Sequence, residues 1–356
     1  MVVFILLVLI FILGIGIVCL MPGHTALITD IRGKPVPGSI ASLEKIKLGG
    51  VEQWILIRGE NKENPLLLFL HGGPGTSEMG LVRKYNLAVL EKHFTVVVWD
   101  QRGAGKSYAA INPVSGMNIE QFVSDTHELT MLLCLRFNQK RICLVGHSWG
   151  SALGVLTVKK YPELYYAYVG IGQVVNGLEG ERVSYEWTLA QAIKANDIKS
   201  VEKLKIMGAP PYSGNWRSKF IAQRAILAKY GGEVYGNPRG GFFITIGSLI
   251  KATEYSWIDR INFFRGIFAS VHLMWPQILN VNLMEQASEL KVPVYFLEGK
   301  HDYETPSILA EQYFEKLKAP HKELIWFDNS AHFLNVEEVD KFNEFFIKQV
   351  SQFKRV

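Results

Sequence analysis

Cysteine is scarce in this chain: 356 residues hold only Cys19, Cys134 and Cys143. None stands in a CxxC pair or at Cys/His spacing, so neither a metal centre nor a disulfide framework has support. Runs of Lys or Arg are missing as well, and the formal net charge is only +5. That leaves no face for nucleic acid. Internal repeats and low-complexity tracts are absent too. With 48% apolar and 20% charged residues, the chain is globular rather than disordered. No metal and no cofactor are expected.

One long hydrophobic run is present. Residues Val2 to Met21 carry no charged side chain, and about 20 such residues span a hydrocarbon core as a helix. Pro22-Gly23 stops the run. A cleaved signal peptide fits less well, since no basic residue precedes the run. The expectation is a single-pass anchor in a lipid bilayer through residues 2–21. Arg32 and Lys34 follow the span and vote for a cytoplasmic location of the rest of the chain, against the nearby Asp30.

Beyond a Pro/Gly-rich stalk, Thr25–Ser42, two strand candidates, Glu44–Leu48 and Val51–Arg58, flank the hairpin signal Gly49-Gly50. Then short apolar runs alternate with helical patterns. The runs are Leu66–Leu70, Thr95–Trp99, Arg141–Val145 and Tyr168–Ile171, and later Val294–Leu297 and Lys322–Phe327. The helical patterns cover Leu81–His93, Ile119–Phe137, Ser151–Tyr161, Ser307–Leu317 and Glu337–Phe353. Unalternating apolar runs are how strands covered on both faces look. The fold class is therefore α/β, a mostly parallel central sheet flanked by helices. From Gln173 to Glu285 the beat lapses into helices, a cap inserted between two parts of one sheet. The expected division is an anchor at 1–22, a stalk at 23–43, core at 44–172, cap at 173–291 and core again at 292–356.

Gly146-His147-Ser148-Trp149-Gly150 is a G-x-S-x-G turn between a strand-like and a helix-like run. Such a tight turn needs neighbours without Cβ, and it lifts a serine hydroxyl above the sheet edge. Ser148 is the expected nucleophile. His71-Gly72-Gly73-Pro74-Gly75 follows an earlier strand, where a second oxyanion donor belongs, so the amides of Gly73 and Trp149 are the expected oxyanion hole. Of nine histidines, His332 is the best-placed base, between the last strand and the last helix; His301 and His321 are rivals. Asp302, closing the Val294–Leu297 strand, is the expected acid, with Glu298 and Glu304 as alternatives.

Together these residues resemble the proline iminopeptidase family, serine aminopeptidases of the α/β-hydrolase fold. The most telling match is Trp99-Asp100-Gln101-Arg102-Gly103-Ala104-Gly105-Lys106-Ser107, the family's W-D-Q-R-G-x-G-x-S block; Asp100 itself reads as a loop-ordering residue. The resemblance covers roughly Glu44–Gly172 and Val292–Phe353 but not the cap. It implies a small-molecule or short-peptide substrate whose free amino terminus is held by cap carboxylates. Glu179, Glu186 and Glu254, with Trp187, are the expected substrate-binding residues, and Glu181 is a further unassigned carboxylate. A carboxylesterase or lipase-like enzyme acting on lipidic acyl esters shares the same machinery, and the many cap aromatics suit it.

Overall fold

The computed structural model describes residues 21–353, with side chains as far as Gln349. The membrane span expected at residues 2–21 lies, Met21 apart, outside the described residues. Among the described residues no helix is long and apolar enough to cross a membrane.

Eight strands form one sheet: β1 Ile40–Leu48, β2 Val51–Gly59, β3 Leu66–Leu70, β4 Thr95–Asp100, β5 Ile142–His147, β6 Tyr165–Ile171, β7 Val294–Gly299 and β8 Lys322–Phe327. Their order is β1-β2-β4-β3-β5-β6-β7-β8. β2 runs antiparallel to β1 and β4, and the neighbours from β4 to β8 are parallel. Every residue of β3, β4, β5 and β7 is buried. The strand period sorts them between two faces. Leu66, Leu68 and Leu70 enter one apolar core and Leu67 and Phe69 the other. Each such side chain contributes roughly 1.5–3 kcal/mol by leaving water. Gly49 and Gly50 join β1 to β2 with φ of 53° and 80°, the left-handed pair a two-residue hairpin demands.

Between β6 and β7 the cap carries helices Gly177–Lys194, Ile198–Met207, Trp216–Lys229, Gly240–Lys251 and Trp257–Ile278. It has a small core of its own, Tyr185, Ala192, Leu204 and Ile226. The last of these helices opens with a reciprocal Ser256/Asp259 capping box.

Three expectations need correction. The helix expected at Leu81–His93 is two short ones, Met79–Tyr85 and Leu87–Leu90. Asn86 sits between them, buried, with its side-chain Nδ2 donating to the Asn335 carbonyl at 2.8 Å. The last helix begins at Val339 after a short turn of helix at Leu334–Glu337. The expected stalk is no free linker. The buried Arg58, paired through Nε with Glu91 at 2.8 Å, donates from Nη1 to the Thr25 hydroxyl at 2.8 Å and to the Ala26 carbonyl. A buried guanidinium needs such acceptors, and here they bind residues 25–26 to the body. Ile40–Ser42 already belong to β1.

Candidate active site

Ser148 stands between β5 and the helix Trp149–Lys160, with φ 55° and ψ −122°. Few non-glycine residues adopt this conformation, and it costs about 1–3 kcal/mol that the surroundings must impose. They do so by close approach. A Cβ on Gly146 would lie 2.2 Å from the Gly150 carbonyl oxygen, and one on Gly150 would lie 2.1 Å from that of Leu70. The Ser148 amide is fixed to the Ile171 carbonyl at 2.9 Å, and the Ser151 hydroxyl donates to the Ser148 carbonyl at 2.6 Å. The Trp149 amide opens a helix, so it carries the positive end of the dipole.

His332 and Asp302 meet 2.8 Å apart, Nδ1 to Oδ2. Both are buried. Asp302 also accepts from the amides of Glu304 at 2.8 Å and Thr305 at 2.9 Å, and from the Thr305 hydroxyl at 2.8 Å. Burial works against a charge on the His332 ring, but Asp302 with Glu304 and Glu233 outweighs it and raises its pKa. Of the rivals, His301 stacks on Tyr235 at 4.0 Å, and His321 is exposed near Glu323. Glu298 accepts from the Gln173 amide at 2.9 Å, and burial holds its carboxyl well above the usual range.

The loop after β3 is braced from β4. The Gln101 amide donates to His71 Nε2 at 3.0 Å, and its side chain donates to the His71 carbonyl at 2.9 Å. Gln101 Oε1 accepts from the Trp149 indole at 3.1 Å. One glutamine thus ties the Gly-rich loop to the elbow. Arg102 grips Asp125 with two bonds, 3.0 and 3.2 Å, both residues fully buried. Asp100, pushed up to about 6 by burial, accepts from Ser77 and Tyr255 and from the Lys106 amide at 2.8 Å.

Two cavities open at Ser148. The larger, about 450 Å³, is lined by Ser148, His332, Gly73, Glu78, Glu233 and Glu304, with a cap wall that includes Phe242, Ile246 and Phe264. The smaller, about 70 Å³, brings Gly73, Ser148 and Trp149 together with Glu181, Arg224 and Glu304. None of the four expected substrate-binding residues lines either cavity. Glu179 and Glu186 are on the surface, both paired to Arg182 at 2.5 Å. Glu254 is buried against Arg83 at 3.3 Å, and Trp187 stacks on Tyr303 at 4.1 Å. Three- and four-residue spacing put both acids of Glu179 and Glu186 on the outer helix face with Arg182 between them.

Residues 65–191 match the family pattern of the α/β-hydrolase fold. A probable aminopeptidase of Bacillus subtilis, YbaC, is 34% identical over 310 residues, which is 86% of this chain and 96% of that protein. The chain belongs to the proline iminopeptidase family of α/β-hydrolases. A proline iminopeptidase of Saccharolobus solfataricus is 28% identical over 83% of this chain and 87% of its own length. The crystal structure of the proline iminopeptidase of Mycobacterium smegmatis superposes with a TM-score of 0.61 at 17% identity, covering 88% of this chain and 98% of that one.

In this family member several site residues escaped sequence reasoning. Glu78 accepts from the Gly72 amide at 3.0 Å and lies 2.6 Å from His147 Nδ1. Burial opposes its charge, but His147, His71 and that amide outweigh it and hold its carboxyl below the usual range. Its second oxygen is buried without a hydrogen-bond partner among the described residues. The signal available was position: Glu78 comes three residues after the His71–Gly75 loop. Arg224 and Glu233 lie in the cap, where no motif marks them. Arg224 reaches Glu181 and lies 3.9 Å from Glu304. Glu233 is pushed up to about 7, first by burial and then by Glu304.

Proposed function

We propose that the chain is a serine hydrolase working through an acyl-enzyme on Ser148, and that it is an aminopeptidase for small peptides. The observation that carries the reading is the His332–Asp302 bond of 2.8 Å beside a cavity that Ser148 and His332 both line. His332 takes the hydroxyl proton as Oγ attacks the scissile carbonyl. The amides of Gly73 and Trp149 receive the oxyanion, and Asp302 steadies the imidazolium. The proton passes to the leaving amine, and water then releases the acyl group. The free amino terminus of the substrate finds three carboxylates in the larger cavity, Glu78, Glu233 and Glu304. An ammonium there restores charge to Glu233, which burial keeps partly neutral near pH 7.

Ser148→Ala is expected to lower kcat by about 10⁴-fold or more while thermal unfolding stays put. Full turnover in that variant would remove the nucleophile. A fluorophosphonate probe should label the unsubstituted chain at Ser148 alone.

One observation favours a second reading, an esterase for apolar acyl groups. The cap wall of the larger cavity is apolar, with Ile221, Phe242, Ile246, Phe264 and Ile267. A panel of prolyl arylamides and aryl esters separates the two: ester turnover with no arylamide cleavage sinks the peptidase. In either case residues 2–21 are read as a bilayer anchor, on their length and lack of charge.

A further inference from the structure

The cap carries an apolar surface that its own fold does not use. On helix Gly240–Lys251, Phe242, Phe243 and Ile250 are exposed; on helix Trp257–Ile278, so are Trp257, Ile261 and Phe268, the last 63% accessible. On the first helix Ile250 lies seven residues after Phe243 and eight after Phe242, and on the second Ile261 lies four after Trp257 and seven before Phe268, spacings that keep each set on one side of its helix. The opposite face of the longer helix is the packed one, with Phe263, Gly266, Ser270 and Met274 buried. Arg260 ties the two helices, donating to the carbonyls of Leu249, Ile250 and Ala252 at 3.0–3.2 Å. Apolar faces of this extent on a monomer mark an interaction surface.

The N-terminal segment enters beside this face. The His24 amide donates to the Thr253 carbonyl at 2.9 Å. Gly23 lies so close that a Cβ would come 1.8 Å from the Glu254 carbonyl oxygen. Both contacts are on the turn that joins the two helices. Three residues reach at most about 11 Å, so Met21, where the uncharged run ends, lies within about that distance of the turn. The exposed charges along these two helices and the residue before them are cationic: Arg239, Lys251 and Arg265. Arg239, Lys251, Arg260 and Arg265 stand between Arg239 and Phe268, against Glu254 and Asp259. Both acids are already spent, Glu254 on Arg83 and Asp259 on Lys106 at 2.8 Å. Two copies of such a face would bring like charges together, whereas anionic headgroups complement it.

We propose that the face formed by helices Gly240–Lys251 and Trp257–Ile278 rests on the surface of the bilayer that receives residues 2–21. This rests on the anchor reading of that segment. The consequence for substrate is direct. Phe242, Phe264 and Ile221 are exposed and also line the larger cavity, so its mouth shares the docking face. An amphiphile passes from lipid to Ser148 without crossing bulk water, so a membrane-borne peptide or ester is favoured over its soluble counterpart.

The test uses the full chain in phosphatidylcholine/phosphatidylglycerol nanodiscs, in a Cys19→Ala background. Cys134 and Cys143 are buried, so single cysteines placed by Phe243→Cys, Ile261→Cys and Phe268→Cys carry a fluorophore alone. Ile206→Cys, exposed on another cap helix, is the control. Nitroxide-labelled lipids should quench the three face probes at least about threefold more than the control. Equal quenching at all four sites overturns the proposal. So does cross-linking of two copies through residue 268 with no lipid quenching, which gives the face to a second copy. Ile261→Glu with Phe268→Glu should leave turnover of a short soluble aryl ester unchanged and cut that of a vesicle-borne long-chain ester about tenfold. An equal effect on both substrates also overturns it. If the unsubstituted chain turns over neither ester, the esterase reading fails while the quenching still reports on docking.

Discussion

The two walls of the catalytic cavity are built on opposite principles. The sheet wall is a polar network: His71, Gln101, Glu78, His147, Asp302 and His332 bond to one another or to nearby backbone. The cap wall is apolar and partly exposed; of its charged groups, Arg224 is held by Glu181 and lies 3.9 Å from Glu304, and Glu233 feels the charge of Glu304. A network in which each side chain is held by fixed partners positions a reacting group within fractions of an ångström, which is what transition-state stabilisation needs. A loose apolar wall selects among substrates without fixing the chemistry. If this contrast is right, substitutions on the sheet side strike turnover and folding, and those on the cap side strike substrate choice.

The largest effect belongs to the acid. Asp302→Asn removes the charge that His332 faces and leaves the imidazole free to take the wrong tautomer. kcat/KM should fall about 10³–10⁴-fold. Glu298→Gln, beside it but bonded to the Gln173 amide, should cost far less. A greater loss in Glu298→Gln, read in steady-state kinetics, would move the acid to that residue.

Next comes a pair of glycines. Gly150→Ala drives a methyl to within 2.1 Å of the Leu70 carbonyl and 2.7 Å of that of His71, and backbone cannot retreat there without breaking the sheet. A loss of about 4 kcal/mol or more is expected in urea unfolding. Gly247, inside cap helix Gly240–Lys251, has nothing within 4 Å of its added Cβ. Gly247→Ala should stabilise the chain by up to about 1 kcal/mol. Equal costs at the two positions would erase the difference between the walls.

The same contrast explains how much the sequence revealed. The sheet was legible because steric necessity leaves marks: Leu66–Leu70 must be apolar on both faces, and Gly146 and Gly150 must lack a Cβ. Ser148, Asp302 and His332 were placed by their positions after strands, and the fold brings the last two into contact. The cap left no such marks. Glu179 and Glu186 have the right chemistry for binding an amine, yet Arg182, three residues after one and four before the other, takes both to the surface. Glu233 reaches the cavity from a loop between Gly231 and Gly236, where nothing periodic points inward. Glu304 was weighed as the partner of the base, two residues from Asp302. Its place between Arg224 and the cavity depends on the cap folding back over the sheet.

Glu304 also gives the smallest and sharpest test, because it belongs to both walls. It follows Asp302 on the sheet side and lies 3.9 Å from the cap's Arg224. After Asp302, it is the strongest of the charges that raise the pKa of His332 against the opposing effect of burial. The sign follows from the role. A general base must be neutral to accept the Ser148 proton, so kcat/KM should climb with pH and half-rise above the 6.5 of an unperturbed imidazole. Glu304→Gln removes a negative charge that favours the imidazolium, so the half-rise should move to lower pH, by at most about one pH unit. A neutral aryl ester is the substrate to use, since its own charge does not change and an amine's would. If the limb stays in place while discrimination for a free amine is lost, Glu304 acts on substrate alone. If the limb moves and discrimination survives, it acts through His332.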